Sequence, residues 1–126
     1  MRCMLLSIVI TTFNRMECLR ENLDHCSQQS DQAFEVVVAD DGSTDGTADM
    51  LRSYAKRCTF PLRWVSTGDT DRYALAKARN LGVLETRGDA VVILDDDSFP
   101  VPDFVAEHKR PVGHEKGTHR RLPECT

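Results

Sequence analysis

Residues Ala90-Val91-Val92-Ile93-Leu94 run without a polar interruption into Asp95-Asp96-Asp97. An apolar run this short and rich in β-branched residues suits a strand buried on both faces, as in a parallel sheet. Charge beginning where the run stops marks the carboxyl end of that strand. The same grammar recurs upstream. Leu5–Ile10 leads into Thr11-Thr12-Phe13-Asn14-Arg15, Phe34–Ala39 leads into Asp40-Asp41-Gly42-Ser43-Thr44-Asp45-Gly46-Thr47, and a weaker run covers Leu62–Ser66. Helical stripes separate the runs: Met16, Leu19, Leu23 and Cys26; then Ala48, Leu51 and Ala55 behind a Ser43/Thr44 cap signal; then Ala74, Ala78, Leu81 and Leu84, stopped by Gly88. The order is βαβαβαβ, with a short helix expected at about Pro102–His108. Right-handed crossovers assemble such a chain into an open α/β fold: a mainly parallel, Rossmann-like sheet with helices on both faces. The expected strand order is 3-2-1-4, which leaves Ala90–Leu94 at an uncovered edge and predicts self-association through it.

The 126 residues, 40% hydrophobic and 29% charged, make one domain with one core. Composition excludes disordered, collagen-like and membrane-spanning classes. Sixteen basic against 20 acidic residues give a net charge of −4, which argues against a nucleic-acid partner. The charge is uneven. Residues 108–126 carry five basic and two acidic groups, and the first 107 carry 11 and 18. The expected division is therefore a domain over residues 1–110 and a basic, disordered tail over 111–126. The five cysteines (Cys3, Cys18, Cys26, Cys58, Cys125) are odd in number and form no C-x-x-C pair. They read as small buried residues in a reducing compartment, so a cytoplasmic location is expected. Met1-Arg2 and the following apolar run lack a signal-peptide cleavage site and read as a first strand.

In open α/β sheets, ligands bind beyond the carboxyl ends of the strands. Three polar clusters fall there, two of them rich in carboxylates that repel unless a cation or hydrogen-bond donors answer them. Three adjacent aspartates suit a hard divalent cation, Mg²⁺ or Mn²⁺, that keeps positions open for phosphate oxygens. Other motifs fail on inspection. The Asp41–Gly46 stretch begins like a calcium loop but has Arg52 where a bidentate Glu is required. No G-x-G-x-x-G or Walker-A loop is present. His114-Glu115 with His119 is one residue too long for a zinc-protease helix, and His25 and His108 have no evident partner. A phosphohydrolase with Asp95 as nucleophile would place its D-x-D after the first strand, whereas here it follows the fourth.

Taken together, Ser7–Arg15, Val36–Thr47, Ala78-Arg79-Asn80-Leu81-Gly82, Arg87-Gly88-Asp89 and Leu94–Asp97 with Pro102-Asp103 closely resemble the family 2 glycosyltransferases of GT-A fold, in order and at natural spacing over residues 4–108. The resemblance implies transfer of a sugar, with inversion, from a nucleotide diphosphate sugar, usually a UDP-sugar, to an acceptor it does not identify. It implies that Thr11 and Asp41 contact the nucleobase, with Thr12, Phe13, Asn14, Arg15 and Asp40 nearby, and that Arg79 and Asn80 line the nucleotide pocket. Asp95-Asp96-Asp97 is similar to the DxD motif, with Asp96 toward the ribose and Asp97, assisted by Asp95, toward the metal. Asp95 and Asp97 would share a face if the strand continued that far. In the family the catalytic base lies well downstream of this motif. Here only Asp103, Glu107, Glu115 and Glu124 follow, none in a recognisable motif, so the catalytic residue is unassigned. The expectation is a donor-binding half without turnover of its own.

Overall fold

The computed structural model describes residues 4–67 and 75–109. Its elements are β1 (Leu6–Thr12), α1 (Met16–Cys26), β2 (Phe34–Asp40), α2 (Thr47–Ala55), β3 (Leu62–Ser66), α3 (Leu75–Leu84), β4 (Ala90–Asp95) and α4 (Phe104–His108). The sheet order is β3-β2-β1-β4, and every pairing is parallel. The two central strands, β1 and β2, are buried along their whole length. The register aligns Thr12 with Asp40 and Thr11 with Asp95, so three strands end side by side.

Strand alternation sends the side chains to two unequal cores. Leu6, Ile8 and Ile10 of β1, with Phe34, Val36 and Val38 of β2, pack under Leu19, Leu23 and Cys26 of α1, Met50, Leu51 and Tyr54 of α2, and Phe104 and Val105 of α4. Each large side chain withdrawn from water here contributes about 1.5–3 kcal/mol. The opposite face is thinner: Val9, Val37 and Ala39 meet Ala78 of α3. Gly82 lets α3 sit this close, since a Cβ there would stand 2.9 Å from Val9 Cγ1 and 3.1 Å from Ala39 Cβ. α3 lies over β1, β2 and β3, and on β4 Val91 and Ile93 remain 41% exposed.

Three helical details differ from the periodicity. Ser43 and Thr44 do not cap α2. That helix begins at Thr47 behind Gly46, whose φ of 96° is a left-handed conformation natural only to glycine. Its buried stripe is Thr47, Met50, Leu51 and Tyr54, with Ala48 exposed. In α3, Leu84 is 78% exposed, because Ala78 and Gly82 are the positions turned to the sheet. Cys18 and Cys26 are buried free thiols, burial pushing Cys26 up to about 12, and Cys58 is half-buried. His25, read as partnerless, stacks on Phe99 at 5.0 Å, and His108 packs on Phe104 at 4.2 Å. Ala74, Cys3, Cys125, both tail histidines and the whole 111–126 segment lie outside the described residues. Among the described residues no helix is long and apolar enough to cross a membrane.

Candidate functional site

The loops after β1, β2 and β4 are built onto one another at the carboxyl edge of the sheet. Asn14 adopts φ 50°, a left-handed conformation that Asn tolerates better than other side chains. That turn lets its amide donate to Ser43 Oγ at 2.7 Å while its own Oδ1 accepts from the Thr44 amide at 2.8 Å. The β1–α1 and β2–α2 loops are thus clasped reciprocally. Asp45 completes the clasp. Its Oδ2 accepts the Met16 amide that opens α1 (3.0 Å), and its Oδ1 accepts the Thr47 amide and hydroxyl that open α2 (3.2 and 2.5 Å). One carboxylate therefore satisfies unpaired donors, and meets the positive dipole ends, of two helices.

The aspartate triplet is anchored from behind. β4 ends at Asp95, so Asp96 and Asp97 lie in a turn rather than on a continued strand, and Asp95 and Asp97 do not share a strand face. Asp96 is buried: Thr12 Oγ1 donates to its Oδ2 at 2.9 Å, and Arg15 faces its Oδ1 at 3.5 Å. The backbone carbonyls of the turn are held from α1. Asn22 Nδ2 reaches the carbonyls of Asp95, Asp96 and Ser98 at 3.3, 3.1 and 3.4 Å, and Cys18 Sγ donates to Asp96 O at 3.4 Å. Thr11 Oγ1 stands 3.5 Å from Asp95 Oδ1, a long contact.

The carboxylates feel one another. Burial raises the Asp96 carboxyl above its ordinary range; Thr12 and Arg15 pull it back, and Asp97 and Asp95 push it up again. Burial likewise raises Asp40, against hydrogen bonds from the Ser43 amide (3.0 Å) and hydroxyl (2.6 Å), with Asp45 and Asp41 adding repulsion. Asp41 is fully buried, its amide bonded to Thr12 O at 3.0 Å and its Oδ1 accepting from Thr67 Oγ1 at 3.3 Å. A cation brought to this edge would relieve the mutual repulsion.

Of the residues singled out in the sequence, Thr11, Thr12, Asn14, Arg15, Asp40, Asp41, Asp95, Asp96 and Asp97 gather at this edge, with Phe13 half-buried between them. Arg79 and Asn80 are exposed along the middle of α3. Asn22, Cys18, Ser43, Asp45 and Thr67 were not singled out, yet they position the rest. Asn22 had a signal, being a polar residue in the otherwise apolar stripe Cys18, Leu19, Leu23, Cys26. No group of three or more His, Cys, Asp or Glu side chains among the described residues is arranged to hold a metal ion by itself. The chemistry of the donors still fits a hard cation of the kind that takes one or two carboxylates and completes its shell with water and phosphate oxygens. Within the triplet, Asp96 is engaged by Thr12 and Arg15.

Comparison with known proteins places this edge in context. The family model for Glycosyl transferase family 2 matches residues 7–116. A Bacillus subtilis protein named as an uncharacterized glycosyltransferase, YfnE, is 38% identical over 103 residues, covering 81% of this chain and 25% of that protein. Among solved structures, a mannosyltransferase from Pyrobaculum calidifontis in complex with GDP-Man and Mn²⁺ superposes with a TM-score of 0.71 at 32% identity, over 80% of this chain and 30% of that one. S. aureus TarS in complex with UDP-GlcNAc gives 0.71 at 25% identity, over 83% and 30%. The chain thus spans about a quarter of the length of the first of these relatives.

Proposed function

This chain belongs to glycosyl transferase family 2, and from that premise we propose that the carboxyl edge of its sheet binds a nucleotide diphosphate sugar as donor for glycosyl transfer. The observation that carries the reading is the anchored triplet. Thr12, Arg15, Cys18 and Asn22 hold the Asp95–Asp97 turn beside the clasped β1 and β2 loops. Mn²⁺ accompanies GDP-Man in one structural neighbour, and UDP-GlcNAc occupies another. In this chain Asp97 and Asp95 hold a divalent cation, Mn²⁺ or Mg²⁺, which when bound supplies positive charge against a diphosphate leaving group. Thr11 and Asp41 stand on the nucleobase side, and Arg15, half-exposed over Asp96, faces the anionic part of the ligand. A UDP-sugar donor and an inverting displacement are further parts of the proposal and rest on the motif resemblance. Arg79 and Asn80, exposed on α3, belong to the donor side of the proposal, and their replacement by Ala should weaken UDP binding.

The test is calorimetric. Asp97→Ala should abolish Mn²⁺-dependent UDP binding and leave the fold intact, since the residue lies in a turn beyond the strand. Undiminished binding would remove the triplet from the site.

Transfer also needs a base to take the acceptor hydroxyl's proton. The described residues after Asp97 include two carboxylates, Asp103 and Glu107. Asp103 accepts from Ser30 Oγ at 3.2 Å, and Ser30 lies between α1 and β2, at the opposite end of the sheet from the triplet. This arrangement favours a second part to the proposal: the 126-residue polypeptide binds donor without transferring it at enzymatic rates. Base assistance is worth ~10²–10⁴ in rate, and positioning of the reactants ~7–11 kcal/mol of barrier. Acceptor-dependent UDP release at ordinary turnover, from UDP-sugars, Mn²⁺ and an acceptor panel, would refute that part.

A further inference from the structure

β4 poses a register problem. Among the described residues it pairs with β1 alone, and Ala90-Val91-Val92-Ile93-Leu94 is apolar at every position. Register is specified by hydrophobic pattern where one face is apolar and the other polar, and a one-residue slip exchanges the faces. Here a slip would exchange apolar for apolar. The pattern of β4 therefore fixes its pairing with β1 weakly, although the turn carrying Asp95–Asp97 depends on that pairing.

A polar cluster at the amino end of the sheet supplies the missing specification. Glu35, the second residue of β2, is a buried carboxylate on the face that α3 covers. Its Oε2 accepts from Ser7 Oγ of β1 at 2.5 Å and from the Arg87 amide, just before β4, at 2.6 Å. Its Oε1 faces Arg63 NH2 of β3 at 2.9 Å, and that guanidinium also donates to the Glu85 carbonyl at the end of α3. Ser7 Oγ in turn accepts the Gly88 amide at 2.8 Å. Asp89 adds a second tie, donating its amide to Leu5 O at 2.7 Å and accepting the Leu5 amide at 2.9 Å. Gly88 is required for this closeness: a Cβ there would overlap Ser7 Oγ and stand 2.7 Å from Leu5 O.

We infer that Glu35 is a positioning residue that sets the register of β4 on β1 and, through it, the placement of Asp95–Asp97, which begins four residues, about 13 Å, along the strand from the Val91 that is level with Glu35. A carboxylate with donors from β1, β3 and the α3–β4 loop is satisfied in one register. Slipping β4 by one residue would pull the Arg87 and Gly88 amides off their acceptors and leave a buried charge short of partners, which is costly. The effect on ligand binding rests on the donor-site reading above; the effect on register does not.

Cross-strand nuclear Overhauser contacts between β1 and β4, read in parallel with calorimetry of UDP plus Mn²⁺, test the inference. Wild type should show one set, Ser7 with Val91 and Val9 with Ile93. Glu35→Ala, measured well below its unfolding temperature, should add a set displaced by one residue, or lose the native set, and bind UDP at least tenfold more weakly. Glu35→Gln keeps an acceptor oxygen for Ser7 and Arg87 and should hold the native register with affinity within about threefold. If Glu35→Ala does not fold, Ser7→Ala, which removes the acceptor of the Gly88 amide, should show the displaced set instead. A single native set in whichever of these two variants folds overturns the inference, whatever happens to stability. Failure of wild type to bind UDP would sink the donor reading and leave the register contacts to decide this one.

Discussion

Replacing Gly82 by Ala sets two known effects against each other at one buried position. In a helix interior, Ala is favoured over Gly by about 0.8–1.0 kcal/mol. At Gly82 the added Cβ would stand 2.9 Å from Val9 Cγ1 and 3.1 Å from Ala39 Cβ. Both neighbours are fully buried, and Ala39 has no rotamer to yield. Inserting a carbon into a packed core costs about 1–3 kcal/mol. Clash should win, so Gly82→Ala is expected to destabilise by about 1 kcal/mol. With a urea m-value near 1.5 kcal/mol/M, the midpoint should fall by about 0.7 M, followed by far-UV circular dichroism and by fluorescence of the half-buried Trp64. Val9→Ala removes the closest contact at its own cost of roughly 0.8 kcal/mol per methyl plus a cavity. The double variant should then be about 1 kcal/mol more stable than the two single changes predict by addition. A Gly82→Ala protein stabilised by the full helix-propensity amount would refute the close approach of α3 to β1 and β2.

Two further outcomes follow from the same structure. Burial pushes the Glu35 carboxyl up, but the Ser7 hydroxyl, the Arg87 amide and the Arg63 guanidinium outweigh it and hold it below the ordinary carboxylate range. Its contribution is therefore complete above the unfolded value of about 4.3 and is lost as pH falls through the lower folded value. Asp40 and Asp96, raised by burial, work in the opposite sense, so the check is the difference in stability between wild type and Glu35→Gln, which should shrink as pH drops below about 4.3 and contradicts the account if it grows. The outer edge of β4, with Val91 and Ile93 41% exposed, predicts self-association of the 126-residue polypeptide, and a monodisperse monomer at high concentration by light scattering would count against it.

The fold was largely legible because each buried strand is an apolar run punctuated by charge. Strand order and the two-sided placement of helices then follow from right-handed crossovers. Periodicity failed where small residues do the packing. Leu84 looks like a core position and is exposed, whereas Gly82, invisible to a hydrophobic pattern, turns to the sheet. The α2 start was misread because Asp45 and a left-handed Gly46, rather than Ser43 or Thr44, arrange that terminus. At the site, residue type and strand-end position were enough to nominate the aspartates. They could not reveal that Asp96 is spent on Thr12 and Arg15, or that one Asn on α1 holds three carbonyls of the turn. Such contacts join residues more than 70 positions apart, and no local pattern encodes them.

The central claim, a cation-assisted nucleotide-sugar site at the carboxyl edge of this sheet, is tested most directly by thermal unfolding with UDP-, GDP-, CDP- and dTDP-sugars, each with and without Mn²⁺. A ligand at a hundred times its Kd stabilises by about 2.7 kcal/mol. For a chain of this length that is a rise of about 10 °C in Tm. The account predicts such a rise for one nucleotide class, UDP first, only when Mn²⁺ is present, and none in Asp97→Ala. No rise with any of the four donors, or an equal rise without the cation, would contradict it.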